Sequence, residues 1–301
     1  MKIPVTPLAF GSAAIGGLYA PVPPDTGVHT VQRALEAGMR YLDTAPHYGA
    51  GKAERILGAA LSDVPRESFT ISTKVGRVLR PLRPGESPDS AGFEGEPPVK
   101  REWDFSRDGV LRSLESSLER LGIDRVDMVY LHDPDAHEDE VYASAYPALA
   151  ELREQGVVGA IGAGMNQTEM LTRFVRRLDL DVVLCAGRYT LLDRSAEAEL
   201  LPACVERGTA VVVGGAYNSG LLAGGTTYNY ESAPVAMLER VAELERVCTR
   251  YDVPLRAAAL QFPMRHPAVA SVLVGCRTPE EVTENAALFA LDVPEDLWKE
   301  L

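Results

Sequence analysis

Four side chains suited to moving a proton are strung through the first half of the chain: Asp43, Tyr48, Lys74 and His132. Each lies where a short apolar run ends. Asp43 falls near the end of the run 40–45, with Tyr48 just beyond it. Lys74 falls near the end of 69–75, and His132 closes 126–132. A phenol titrates near pH ~10 and is a weak acid or base at neutrality. A neighbouring ammonium stabilises its phenolate, so Lys74 is expected to lower the pKa of Tyr48. Asp43 would keep that lysine charged and in place, and His132 would donate a hydrogen bond to a carbonyl oxygen on which negative charge develops. Such a set protonates an alkoxide formed by hydride addition, or takes the proton of an alcohol that loses hydride. None of the four carries hydride, so a nicotinamide cofactor is required.

Singly, each residue has an ordinary structural reading, as packing, a buried ion pair or a hydrogen-bonded core imidazole. They gain meaning if the fold gathers them at one place. Short runs rich in β-branched residues alternate with longer stretches of 3.6-residue period along the whole chain. Strands are expected at 8–11, 40–45, 69–75, 126–132, 158–163, 182–188, 210–216 and 271–275. Helices are expected at 30–37, 52–61, 106–121, 140–154, 168–178, 196–207, 236–251, 255–266 and 279–289. Eight βα units with nearly continuous apolar strands imply a closed (β/α)8 TIM barrel forming one domain over residues 1–301, with strand C-termini converging on one mouth. A doubly wound sheet would carry a GxGxxG turn after the first strand, and the run from Gly11 to Gly17 lacks that spacing. About thirty residues between Gly76 and Ser106 are rich in Pro and Gly and show no clear periodicity. A loop of that length is read as a lid over the mouth, with Phe93 and Trp103 as its substrate-facing aromatics.

Composition narrows the function. A hydrophobic content of 46% and a charged content of 24% are those of an ordinary soluble domain. A net charge of −13 argues against nucleic acid or an anionic membrane as partner. No signal-peptide pattern opens the sequence and no apolar run approaches ~18 residues, so a cytoplasmic protein is expected. Cys185, Cys204, Cys248 and Cys276 form no CxxC pair and are expected as buried free thiols, with no metal site.

The segment Tyr41-Leu42-Asp43-Thr44-Ala45-Pro46-His47-Tyr48-Gly49, then Lys74, then Ser113-Leu114-Glu115-Ser116-Ser117-Leu118-Glu119-Arg120-Leu121-Gly122 leading to His132, resembles the aldo-keto reductase superfamily. The likeness covers almost the whole chain, and the family's catalytic tetrad falls on Asp43, Tyr48, Lys74 and His132. It implies NAD(P) lying across the barrel mouth without a Rossmann fold. By the same likeness Asn166 would hold the carboxamide, although the glutamine expected at the end of strand six is replaced by Ala186-Gly187-Arg188. Tyr217 would stack on the nicotinamide, and the backbone of Asn218, Ser219, Gly220 and Leu221 would face the pyrophosphate. Gly275, Arg277, Glu281 and Asn285, with Asp43, would complete the cofactor site. Relatives that prefer NADPH carry a basic or amide residue at the place of Glu281. A carboxylate there repels a 2′-phosphate, so NAD is expected in preference to NADP, against the opposite pull of Arg277.

Leu131-His132-Asp133-Pro134-Asp135, Gly162-Ala163-Gly164-Met165-Asn166-Gln167 and Asn218-Ser219-Gly220-Leu221-Leu222 resemble the branch containing L-fucose (D-threo-aldose) 1-dehydrogenase, L-galactose dehydrogenase and pyridoxal 4-dehydrogenase. That branch implies oxidation of an aldose at C1 to a lactone; His47, Asp133 and Arg188 are expected to supply polar contacts to a sugar, and Trp103 an aromatic one. The alternatives are a general NADPH-dependent aldehyde or ketone reductase, pyridoxal oxidation, and a non-catalytic barrel that senses NAD(P). A small-molecule partner is expected, and a monomer or homodimer.

Overall fold

The computed structural model describes residues 4–88, 91–229 and 231–301. Eight strands close into a parallel barrel: β1 (Leu8–Gly11), β2 (Tyr41–Asp43), β3 (Thr70–Val75), β4 (Met128–His132), β5 (Ala160–Met165), β6 (Val182–Ala186), β7 (Ala210–Gly214) and β8 (Val269–Gly275). Closure comes through β1 against β8, with Gly11 opposite Gly275. Going round, Gly11 faces Asp43, Asp43 faces Ser72, Lys74 faces Tyr130 and His132 faces Gly164. The side chains at the C-terminal ends of β2, β3 and β4 are thereby neighbours.

Two apolar layers hold this frame. Inside the barrel lie Ala9, Tyr41, Met128, Tyr130, Val182, Leu184, Val212 and Leu273. A larger layer fills the space between strands and helices. The helix Thr168–Arg177 has the pattern that this layer selects: it buries Leu171, Phe174 and Val175 and leaves its arginines on the other side. Ser106 caps Arg107–Leu121 by accepting from the Gly109 amide, and Gly122, with φ 65°, ends it in the left-handed region.

Several elements depart from the sequence expectation. The first helix is Pro24–Glu36, six residues longer at its start than expected, because Pro24 sits at the first turn, where its missing N–H costs nothing. Gly27 belongs inside it, since a Cβ there would stand 2.9 Å from Ile56 of the helix Lys52–Leu61. β5 runs two residues later than expected. The stretch 140–154 contains a π-turn, Val141–Ala145, before the helix Tyr146–Glu154, next to Pro147, which has no N–H to continue a regular ladder. The stretch 255–266 divides into Leu255–Gln261 and a 3-10 turn, Phe262–Arg265, and a short helix, Glu295–Glu300, follows at the end.

The long loop after β3 is the largest correction. It has regular structure: Arg77–Pro81 pairs antiparallel with Val99–Trp103. Gly76 makes the junction. Its φ is 107°, and a Cβ there would lie 2.2 Å from the Phe105 ring. All four cysteines are free and buried. Among the described residues no helix is long and apolar enough to cross a membrane, and no His/Cys/Asp/Glu group could hold a metal.

Candidate active site

The four residues picked out by type do meet. Lys74 Nζ donates to Asp43 Oδ2 at 2.6 Å and to the Thr44 carbonyl at 2.9 Å. Its ammonium lies 4.6 Å from the centre of the Tyr48 ring and within hydrogen-bonding reach of the Tyr48 hydroxyl. The imidazole of His132 stands edge-on to that ring, centroids 5.8 Å apart. Lys74, Asp43 and His132 are at most 5% exposed. Removing one partner of such a buried pair strands the other charge, which costs about 3–5 kcal/mol.

A second polar layer lies beneath. Ser72 Oγ donates to Asp43 Oδ1 at 2.7 Å, and the hydroxyls of Tyr41, Ser72 and Tyr130 form a buried chain with 3.0 Å links. Both carboxylate oxygens of Asp43 are thus held. The sequence signal was available and not used: Tyr41 and Asp43, Ser72 and Lys74, and Tyr130 and His132 are all two residues apart, and a period of two points each pair to one side of the sheet.

Burial sets the protonation states. Burial is the main influence on Tyr48 and pushes its pKa up. Lys74 pulls the other way without reversing it. Lys74 lowers the pKa of Tyr48 as expected, but the dry site outweighs the ammonium, and the resting side chain is a phenol. For Lys74 burial is again the largest influence, downward, but Asp43 and Tyr48 together hold its pKa above the usual value. His132 is driven well below its usual pKa by burial, then by Arg77, Lys74 and His47, so it is neutral. His47 is lowered to about 2 by burial, Arg77 and Arg101.

The β4 end continues into Asp133, held at φ 43° with its amide bonded to the Gly164 carbonyl. Its Oδ2 lies 3.6 Å from His132 Nε2 and accepts from Arg77 Nη2 at 2.6 Å. Arg77 was not anticipated. It follows directly on Gly76, lies 4.2 Å from the Trp103 ring centre, and sets Nη1 3.1–3.2 Å from both His47 ring nitrogens. With His47, Ala91, Arg101, Glu102 and Trp103 it lines a cleft of about 190 Å³. Phe93 is buried against His47 and Tyr48, while Trp103 is about half exposed.

The other expected residues form a separate group. Tyr217 donates to Asn285 Oδ1 at 2.7 Å, and Asn285 also donates to Cys276 Sγ. Asn218 and Ser219 take positive φ, and the amides of Asn218, Gly220 and Leu221 donate to carbonyls within their own turn. Glu281 accepts from the Arg277 amide at 2.7 Å, and its own amide is capped by Thr278, so its carboxylate also closes a helix N-terminus. Arg188 donates to the Asn166 carbonyl at 2.6 Å, to Asp193 and to Asn229. None of these bonds joins Arg188 to the Tyr48 cluster.

A barrel with these four residues gathered at its mouth meets a family profile over nearly its full length: the Aldo/keto reductase family matches residues 7–301. The chain belongs to the aldo-keto reductases. It is 45% identical to a D-threo-aldose 1-dehydrogenase of a Pseudomonas species, across 98% of this chain and 92% of that one. It is 39% identical to a pyridoxal 4-dehydrogenase of Microbacterium luteolum, across 99% and 93%. An aldo-keto reductase from Bacillus halodurans, solved in holo form, superimposes with a TM-score of 0.76 at 25% identity, covering 99% of this chain and 91% of that one. As an aldo-keto reductase the protein is an NAD(P)-dependent oxidoreductase. The residues at its mouth fit a dinucleotide in one respect: Asn218 Oδ1 and Arg277 Nε are buried with no partner among the described residues, a state that a bound polar ligand would relieve.

Proposed function

We propose that the protein oxidises a cyclic aldose at C1 to a lactone, with NAD preferred over NADP. The observation that carries this reading is the near full-length similarity to a D-threo-aldose 1-dehydrogenase, together with a mouth lined by His47, Arg77 and Asp133. Tyr48 is the general acid/base, Lys74, held in place by Asp43, favours its phenolate against the burial, and His132 donates to the oxygen on the reacting carbon. A bound nicotinamide supplies the hydride acceptor. Asn166 and Tyr217 would hold the nicotinamide end. Asn218, Ser219, Gly220 and Leu221 would hold the diphosphate, and Gly275, Arg277, Glu281 and Asn285 the adenosine end. Asp133, His47, Trp103 and Arg188 would contact the substrate.

NAD preference rests on Glu281, whose carboxylate lies 4.0 Å from Arg277 and opposes a further negative group. The second reading is pyridoxal oxidation, favoured by the 39% relative. Initial rates of nicotinamide reduction with L-fucose, D-arabinose, L-galactose and pyridoxal, each with NAD and NADP, separate the two. Turnover of an aldose with NAD is expected. Silence on the sugars with turnover of pyridoxal would replace the first reading by the second.

A further inference from the structure

We propose that Arg77 is a specificity-determining residue, whose guanidinium and the carboxylate of Asp133 act as one donor–acceptor pair for hydroxyls of a neutral, polyhydroxylated substrate. This deepens the reading above and rests on it for the reacting carbon, but not for its own test.

Position comes first. Arg77 opens the hairpin one residue after Gly76, so its Cα is fixed by β3 on one side and by pairing with Trp103 on the other. The guanidinium is clamped between the Trp103 ring and Asp133, and Asp133 Oδ2 also lies 3.6 Å from the imidazole that faces the reacting oxygen. A substrate hydrogen-bonded to this pair therefore has its carbonyl or hemiacetal carbon near His132.

Bonding capacity comes second. Arg77 Nε is buried without a partner, and among the described residues no hydrogen bond reaches Asp133 Oδ1. Arg77 also lines the cleft, so the pair presents guanidinium N–H donors beside a carboxylate acceptor, as a hydroxyl requires. A buried polar site of this kind rejects analogues that leave its atoms unmatched.

Charge comes third. Three cations around the tetrad are matched: Lys74 by Asp43, Arg77 by Asp133 and Arg101 by Glu96. No unmatched cation among these three is left for a carboxylate or phosphate, which points to a neutral substrate.

The test compares glyceraldehyde with propanal, which has the same carbon chain without the two hydroxyls, in NAD(P)H-dependent reduction. In the wild type kcat/KM should favour glyceraldehyde over propanal, and over glyceraldehyde 3-phosphate. Arg77→Met should shrink the glyceraldehyde-to-propanal ratio by about 10- to 100-fold, mainly through KM, the loss expected for hydrogen bonds to a charged group. Arg77→Lys, which keeps the charge but not the planar fork, should lie between. If Arg77→Met fails to fold, Asp133→Asn should shrink the same ratio. An equal fall for both aldehydes would reduce Arg77 to a support for Asp133 and His132 and would overturn the proposal. So would a preference for the phosphorylated aldehyde. A wild type that discriminates in this way yet oxidises no aldose would overturn the proposed function and leave this inference standing.

Discussion

The two ends of the barrel treat buried polar groups in opposite ways. At the N-terminal end every such group described above a strand start is satisfied. Asp127 Oδ2 accepts the Ile71 amide at 2.7 Å and Arg66 at 2.8 Å. Asp181 Oδ2 does the same for Ile161 and Arg153. The hydroxyls of Thr70, Thr209 and Ser271 donate to the carbonyls of Pro4, Leu180 and Thr6. At the C-terminal end, Ser12 Oγ, Thr44 Oγ1, Arg77 Nε, His132 Nδ1, Asn218 Oδ1 and Arg277 Nε are buried and unpartnered among the described residues. Arg256 Nε, whose guanidinium lies over the Tyr217 ring and bonds Asn285, belongs to the same end, and among the described residues Ser113 Oγ alone shares that state elsewhere. An unmatched buried polar atom costs about 1–3 kcal/mol, so a set gathered almost wholly at one end marks where stability has been yielded to function.

The contrast can be broken most forcefully at Tyr48. Tyr48→Phe should lower turnover by about 10²–10⁴-fold or more, the scale of a lost general acid/base, while nucleotide binding, followed by quenching of protein fluorescence, persists. Retained turnover would mean that the mouth is not the reacting end.

A smaller effect follows from the raised pKa of Tyr48. The phenol form dominates at neutral pH, and oxidation needs the phenolate. Oxidation should therefore climb with pH by up to about tenfold per unit below that pKa, whereas reduction should hold level and fall only as the phenol ionises. Paired pH–rate profiles check this. An oxidation rate that is flat from pH 7 to 9 would contradict the burial-dominated site.

The smallest change in rate is expected at the opposite end. Asp127→Ala strands the Ile71 amide and frees Arg66, a loss of about 2–3 kcal/mol that should lower the midpoint of thermal unfolding. The kcat should stay within about twofold, because the N-terminal face of such a barrel serves stability. A large fall in kcat without a fall in stability would erase the distinction.

Sequence reading found the strands that are buried on both faces, because continuous apolar runs leave little ambiguity, and it found the tetrad because the four residues stand where those runs stop. The hairpin after β3 escaped. Its strands, Arg77–Pro81 and Val99–Trp103, contain no fully buried residue, so no apolar alternation betrays them. Arg77 was lost with it. The start of the first helix was not legible either: Pro24 occupies its first turn and Gly27 a helix crossing, two residue types that give no helical signal of their own. The net rise in the Tyr48 pKa was not legible for another reason: sequence supplies the neighbouring charge, whose lowering effect is present, but not the depth of burial opposing it.

The hairpin base has a bearing on how this protein can change. Arg77 pairs with Trp103, and the Asp104 amide bonds the Gly76 carbonyl at 3.0 Å, so the segment is sealed at its root. Insertions within the largely exposed stretch 82–88 can lengthen the far part without shifting the guanidinium at its root, whereas Phe93 and Glu96 beyond it stay packed against the mouth. Descendants of this sequence can therefore vary the size of molecule admitted while inheriting one fixed means of recognising it, two traits free to evolve at separate rates.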